Sequence, residues 1–128
     1  MLFEQTSNQI RVEVEPTYVA DQSDPKRSIW YFSYHVRITN EGDAPVQLRS
    51  RHWIIIDAIG RVEEVEGPGV VGLQPLIPPG QVFEYSSYCP LPTPTGTMRG
   101  NYLMTDQKGH EITVNIPLFV LAEPGHYH

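Results

Sequence analysis

Apolar and polar residues alternate with a period of two along most of this chain, the pattern of strands with one buried face. Ile10, Val12 and Val14 alternate with Arg11, Glu13 and Glu15, which predicts a half-buried strand that Pro16 limits or bulges at its end. Asp21 to Ser28 reads as a polar loop. The long strand Ile29 to Asn40 then sets Trp30, Phe32, Tyr34, Val36 and Ile38 on one face, with Tyr31, Ser33, His35, Arg37 and Thr39 on the other. Asn40-Glu41-Gly42-Asp43 is a turn, and Val46 to Asp57 is the next strand. Trp53-Ile54-Ile55-Ile56 is apolar on both faces, which predicts a central strand covered on both sides or an outer face reserved for a partner. The turn Asp57-Ala58-Ile59-Gly60 leads into a strand from Arg61 to Glu66 and a glycine-rich loop from Gly67 to Gly72. Gln81 to Ser87 is a strand with Val82 opposed to Phe83 and Tyr85, and the prolines of Cys89 to Gly96 predict a loop. Thr97 to Thr105 and Glu111 to Leu118 are the last strands, joined by the turn Asp106-Gln107-Lys108-Gly109. The polar tail Glu123 to His128 is expected to fray.

About seven to eight short strands, no helical stripe and twelve prolines describe an all-β protein. The architecture this predicts is an immunoglobulin- or fibronectin-type-III-like β-sandwich, a single domain over residues 1–128. Cys89 is the only cysteine, so no intrachain disulfide forms, which points to a reducing compartment. The first residues, Met1-Leu2-Phe3-Glu4-Gln5, lack the basic and apolar regions of a signal peptide, and no apolar run approaches membrane-spanning length. The expectation is a cytoplasmic protein with no direct membrane insertion. A net charge of -6 repels a phosphate backbone and argues against nucleic acid as a partner.

Gly67-Pro68-Gly69-Val70-Val71-Gly72 matches the G-x-G-x-x-G pattern of dinucleotide sites. That pattern works where a helix N-terminus receives the pyrophosphate. Here Leu73-Gln74-Pro75-Leu76-Ile77-Pro78-Pro79 follows, and it cannot form a helix of any length. The dinucleotide fold is therefore excluded. Two readings of the loop remain: an anion-binding nest of backbone N–H groups, or glycines that only supply positive φ between strands. Arg51 lies on the same face as Trp53 and is a candidate phosphate ligand or a rim residue, while Trp53 is a candidate core anchor. Cys89 precedes Pro90 without a helix N-terminus to activate it and reads as inert. Glu63, Glu64 and Glu66 read as solvated positions, and neither G-x-S-x-G nor H-E-x-x-H occurs. The histidines His35, His52, His110, His126 and His128 form no recognisable ligand set, and a single cysteine rules out a cysteine-rich zinc site. No catalytic residue, metal ligand or cofactor is assigned.

Several segments, taken in order, resemble the bacterial ApaG family from Ile10 to Leu121. They are Tyr34-His35-Val36-Arg37-Ile38-Thr39-Asn40, Gln47-Leu48-Arg49-Ser50-Arg51-His52-Trp53-Ile54-Ile55-Ile56-Asp57, Val65-Glu66-Gly67-Pro68-Gly69-Val70-Val71-Gly72-Leu73-Gln74-Pro75, Pro79-Gly80-Gln81-Val82-Phe83-Glu84-Tyr85, Leu91-Pro92-Thr93-Pro94-Thr95-Gly96-Thr97-Met98-Arg99-Gly100 with Tyr102 and Met104, and Ile116-Pro117-Leu118-Phe119. The resemblance implies a fibronectin-type-III-like sandwich and a non-enzymatic binding domain for a protein partner, as in eukaryotic relatives appended to F-box and polymerase-interacting proteins. It also implies nucleotide or pyrophosphate binding at the glycine motif, here Gly67, Gly69 and Gly72; a few backbone donors and one arginine, Arg51 or Arg61, would make such binding weak. The alternatives it carries are a role in cobalt and magnesium homeostasis and a phosphohydrolase-type enzyme. The oligomeric state stays open, a homo-oligomer included.

Overall fold

The alternating segments pair into two antiparallel sheets in this computed structural model, which describes residues 1–125. The first sheet holds β1 (Phe3–Ser7), β2 (Ile10–Tyr18), β3 (Trp30–Asn40) and β7 (Val82–Leu91), in the order β1-β2-β3-β7. The second holds β4 (Val46–Asp57), β5 (Val62–Pro68), β8 (Thr95–Thr105) and β9 (Glu111–Ala122), in the order β5-β4-β8-β9. The short β6 (Leu76–Ile77) pairs with the start of β4. The described residues contain these nine strands, two 3-10 turns and no α-helix, so the molecule is an all-β sandwich of the immunoglobulin/fibronectin-type-III-like kind. His126 and His128, and with them the end of the polar tail, lie outside the described residues.

Nine strands exceed the seven to eight expected because two carry no usable pattern. β1 has one apolar residue, Phe3, and is held by backbone pairing to β2 across a two-residue turn at Asn8 and Gln9, both with positive φ. β6 is too short to alternate. Several strand ends also move, among them that of β5, which runs to Pro68 and takes in the first two residues of the expected glycine loop. The loop expected over Cys89 to Gly96 shrinks to residues 92–94: β7 runs on to Leu91 and β8 begins at Thr95. β9 continues past Leu118 to Ala122. β2 passes through Pro16 to Tyr18. The prolines are tolerated for one reason. β1 pairs with β2 only as far as Val14, so Pro16 sits where that side of β2 is open, while Pro90 and Pro117 lie on the edge strands β7 and β9.

The core fills the space between the sheets with Ile10, Val12, Val14, Phe32, Val36 and Ile38 from the first sheet and Leu48, Met98, Met104 and Leu121 from the second, among others. Trp53 is 3% exposed at its centre. Its ring stands edge-on to Tyr34, Phe119 and Tyr102, with centroids 5.4, 5.9 and 6.5 Å away. Opposite Trp53 in register is Gly100, where an added Cβ would lie 1.9 Å from the His52 carbonyl oxygen, so only glycine lets β8 approach β4 there. Two bulges decide which residues face inward. One between Leu48 and Ser50 switches β4 from even to odd inward positions, so Val46 and Leu48 are followed by Arg51, Trp53 and Ile55. The other, between Met98 and Gly100 against Ile116 to Phe119, buries both Ile116 and Pro117 and turns Leu118 outward.

Two buried polar side chains pin the turns. Asn40, 1% exposed, donates from Nδ2 to the carbonyls of Ala44 and Ile77 and accepts from the Gly42 amide. Asp57 accepts the amides of Ile59 and Arg61 at 3.0 Å each, which closes the β4–β5 hairpin.

Candidate functional site

β7 ends the first sheet and β5 ends the second, so both leave an edge unpaired by another strand. The loop that follows β5 overhangs a cavity of about 300 Å3 lined by Arg51 and Trp53 of β4, Tyr34 of β3, Tyr85 and Ser87 of β7, and Pro68, Val70, Val71 and Gly72. Arg51, Gly72 and the residues around Gly69 are thus brought together, as the glycine motif and the inward phase of Arg51 suggest. Gly67 stands beneath the guanidinium, where an added Cβ would lie 3.0 Å from Arg51 Nη1.

The loop is built by three internal hydrogen bonds and one side chain. Gly69 N–H donates to the Arg49 carbonyl at 2.8 Å, and Val70 and Leu73 exchange N–H to carbonyl bonds of 2.9 and 2.8 Å. Gly69 has φ +61°, and a Cβ there would lie 2.2 Å from the Leu73 carbonyl oxygen, so glycine is required both by φ and by contact. Val71 takes φ +42°, an uncommon conformation for a β-branched residue. Arg51 Nη1 donates to the carbonyls of Pro68 and Gly69 at 3.0 and 2.9 Å. The loop therefore turns carbonyls toward Arg51, and the Gly69 and Val70 amides are engaged within the chain. Among the described residues, the Val71 and Gly72 amides make no backbone hydrogen bond, and both residues line the cavity.

The electrostatics of the cavity are simple. Among the described residues Arg51 has no carboxylate within ion-pair distance, and its Nε and Nη2 groups donate to no protein acceptor. Burial raises the Tyr34 phenol above its ordinary pKa, against a hydrogen bond with Ser87 that acts the other way. Burial likewise raises Tyr85 and Tyr102, whose hydroxyls bond each other. These phenols are neutral donors or acceptors near pH 7, so Arg51 carries the only full charge on the wall.

A second surface lies on the outer face of the β5-β4-β8-β9 sheet. Val62, Ile56, Thr97 and Val120 stand side by side across four strands. The next row is Glu64, Ile54 and Arg99, with Leu118 at the bulge beside Arg99. Val62, Leu118 and Val120 are 56, 53 and 44% exposed. Of the two alternatives for the doubly apolar segment of β4, the strand is central with Trp53 covered, and Ile54 and Ile56 belong to this open face. The row beyond is polar: His52 Nε2 lies 3.2 Å from Glu64 and 3.6 Å from Glu66.

Other candidate groups are placed as follows. Cys89 is buried, and burial first, then the charge of Glu63, pushes its thiol up to about 12, which keeps it protonated and unreactive at neutral pH. A Ser–His–acid row that sequence spacing does not reveal lies on the outer face of the first sheet: Ser86 Oγ is 2.8 Å from His35 Nδ1, and Glu84 Oε1 is 2.8 Å from His35 Nε2. It comes from β3–β7 register, with His35 opposite Ser86. Its members are exposed and lie outside the Arg51 cavity; the hydrogen bond from His35 holds the Glu84 carboxyl below its usual range. Among the described residues no group of three or more His, Cys, Asp or Glu is arranged to hold a metal ion, and no helix is long and apolar enough to cross a membrane.

Nine antiparallel strands in two sheets, an arginine cavity at the seam and an apolar outer face define a small fibronectin-type-III-like β-sandwich domain. The model of the ApaG domain matches residues 20–106. The chain belongs to the ApaG family. It is 54% identical over 119 residues to Protein ApaG of Bordetella pertussis, covering 93% of this chain and 91% of that protein. It is 51% identical over 123 residues to Protein ApaG of Rhodospirillum centenum, covering 96% and 95%. A crystal structure of a Bordetella pertussis protein described as the putative ApaA protein superposes with a TM-score of 0.88 at 52% identity, covering 95% of this chain and 98% of that one.

Proposed function

We propose that this domain binds another protein through the outer face of the β5-β4-β8-β9 sheet and performs no covalent chemistry of its own. The observation that carries this reading is the row Val62–Ile56–Thr97–Val120, three aliphatic side chains and a threonine flanked by Ile54 and Leu118, in which Val62, Leu118 and Val120 are open to solvent. Apolar side chains grouped on one face can be buried together by a single partner, with a gain proportional to the apolar area removed from water. Glu64 and Arg99 flank Ile54 in the same plane, which gives the face a polar rim of both signs. The test is affinity capture from the cell of origin with three proteins: native, Val120→Lys on the proposed face, and Ser86→Lys on the outer face of the other sheet. The reading expects a partner held by native and Ser86→Lys protein and lost with Val120→Lys. An identical set of partners for all three would overturn it.

A second reading has its own observation. The half-buried Arg51 guanidinium, with two nitrogen groups unused by the protein, supports binding of an oxyanion at the loop formed by Gly67, Gly69 and Gly72. Nucleotide or pyrophosphate binding would use Arg51 together with the Val71 and Gly72 amides. It would be weak, since few donors are free and the chain's net charge of -6 opposes an anion.

A further inference from the structure

We propose that the cavity at Arg51 is a binding site for a single carboxylate carried on a small aromatic or aliphatic group. This rests on the second reading above, in which Arg51 is an anion ligand, and specifies the anion.

The guanidinium is fixed before any ligand arrives. Both Nη1 hydrogens are directed at the Pro68 and Gly69 carbonyls, at 3.0 and 2.9 Å. Gly67 packs beneath it, with no side chain to displace it. Nε and Nη2 remain, and they lie on one edge of the planar group. Their two parallel N–H bonds match the two oxygens of a carboxylate. A tetrahedral phosphate is served better by a ring of converging amides; the Gly69 and Val70 amides are already bonded within the chain, which leaves only those of Val71 and Gly72.

Charge counting points the same way. Among the described residues, Arg51 is the only cationic side chain on the cavity wall. One guanidinium neutralises one carboxylate, whereas a pyrophosphate brings several charges into a chain of net charge -6. The remaining wall is aromatic and aliphatic: Trp53, Tyr34, Tyr85, Val70 and Val71, with Ser87 adding a hydroxyl. A volume of about 300 Å3 is at the small end for ligand pockets and suits a ring or short chain with one acidic group. A free organic acid and the terminal residue of a peptide share this chemistry.

The experiment is a titration of the full chain followed by 1H–15N spectra, reading the Arg51 Nε–H and Trp53 indole N–H signals. Four probes are used: benzoate, N-acetylphenylalanine, the neutral isostere benzamide, and inorganic pyrophosphate. Both acids should move the two signals with dissociation constants of order 1–10 mM, about tenfold or more tighter than benzamide or pyrophosphate. N-acetylphenylalanine binding well ahead of benzoate would assign the carboxylate to a peptide terminus, and the reverse order to a free acid. Arg51 also holds the loop, so the specificity control leaves it in place. Val71→Asp sets a carboxylate at the rim and should weaken acid binding about tenfold more than the neutral, near-isosteric Val71→Asn, which takes the same positive φ. Pyrophosphate binding ahead of both acids would overturn the carboxylate proposal and leave the anion reading standing. Benzamide binding as well as benzoate, or no response to any probe, would overturn both.

Discussion

The Tyr85–Tyr102 hydroxyl pair offers a measurement with an asymmetric expected result. Tyr102 is fully buried, and Tyr85, 7% exposed, lines the Arg51 cavity. Their hydroxyls bond each other across the two sheets. Replacing one tyrosine by phenylalanine keeps the ring and removes one hydroxyl, so the cost is set by what the remaining hydroxyl can do. In Tyr85→Phe the Tyr102 hydroxyl is left where solvent does not reach, and the full penalty for an unsatisfied buried group applies, about 2–3 kcal/mol. In Tyr102→Phe the Tyr85 hydroxyl is left beside a cavity that admits water, so the cost is about 1 kcal/mol. The double Phe variant removes both polar groups and should cost no more than Tyr85→Phe alone, which makes the coupling between the sites large and of rescuing sign. Urea unfolding followed by far-UV circular dichroism, with the slope against urea unchanged among variants, reads all three values. Tyr102→Phe costing more than Tyr85→Phe would refute the assignment of the wet side. A double variant equal to the sum of the singles would refute the pairing itself.

Asn40→Ala removes a side chain that satisfies the Ala44 and Ile77 carbonyls and the Gly42 amide; in urea unfolding it should lose about 2–4 kcal/mol, far more than an exposed turn residue. Gly69→Ala meets both a positive φ and the Leu73 carbonyl, whereas Gly72→Ala at φ +81° meets open space. The first should therefore cost more than the second, which should lose only about 1 kcal/mol, and equal losses would disprove the tight loop geometry. Cys89 is raised to about 12 in the folded chain and titrates near 8.5 when unfolded. The unfolded state thus releases its proton first, so stability is full below about pH 8.5 and falls by roughly 1 kcal/mol per pH unit above it, until the folded thiol titrates. Between about pH 8.5 and 9.5, before free phenols ionise, Cys89→Ala should show a flatter decline than the native chain.

Most of the sandwich was legible because its strands are half-buried. Alternation placed Phe32, Tyr34, Val36 and Ile38 together, and all four are buried. Legibility failed where backbone pairing, not side-chain burial, makes the strand. β1 is held by β2 while most of its side chains face solvent, and β7 continues beneath Pro90 because an edge strand needs no inward donor on its free side. The bulge after Leu48 left a trace: buried positions pass from even numbers, Val46 and Leu48, to the odd Trp53. A phase change inside one continuous strand is the mark of an inserted residue.

The candidate site divides along the same line. That Arg51 shares a face with Trp53 follows from alternation alone, since the two are separated by a single residue beyond the bulge. That Arg51 faces Tyr34, Tyr85 and Ser87 depends on β3–β7 register and on how one sheet lies over the other, which are long-range facts. The glycine motif shows the opposite hazard. Its spacing matched a phosphate-binding pattern, yet the function of that pattern resides in amides that are free to point at a ligand. Here the Gly69 amide bonds Arg49, two residues before Arg51 on the same strand, and Arg51 in turn holds the Pro68 and Gly69 carbonyls. One short stretch of β4 thus supplies both the acceptor that fixes the loop and the guanidinium that the loop orients. Gly69 is required by its positive φ and the Leu73 carbonyl, and Gly67 leaves room for the guanidinium. These contacts leave the Arg51 Nε and Nη2 groups, with the Val71 and Gly72 amides, unbonded by the backbone of the described residues at the cavity wall.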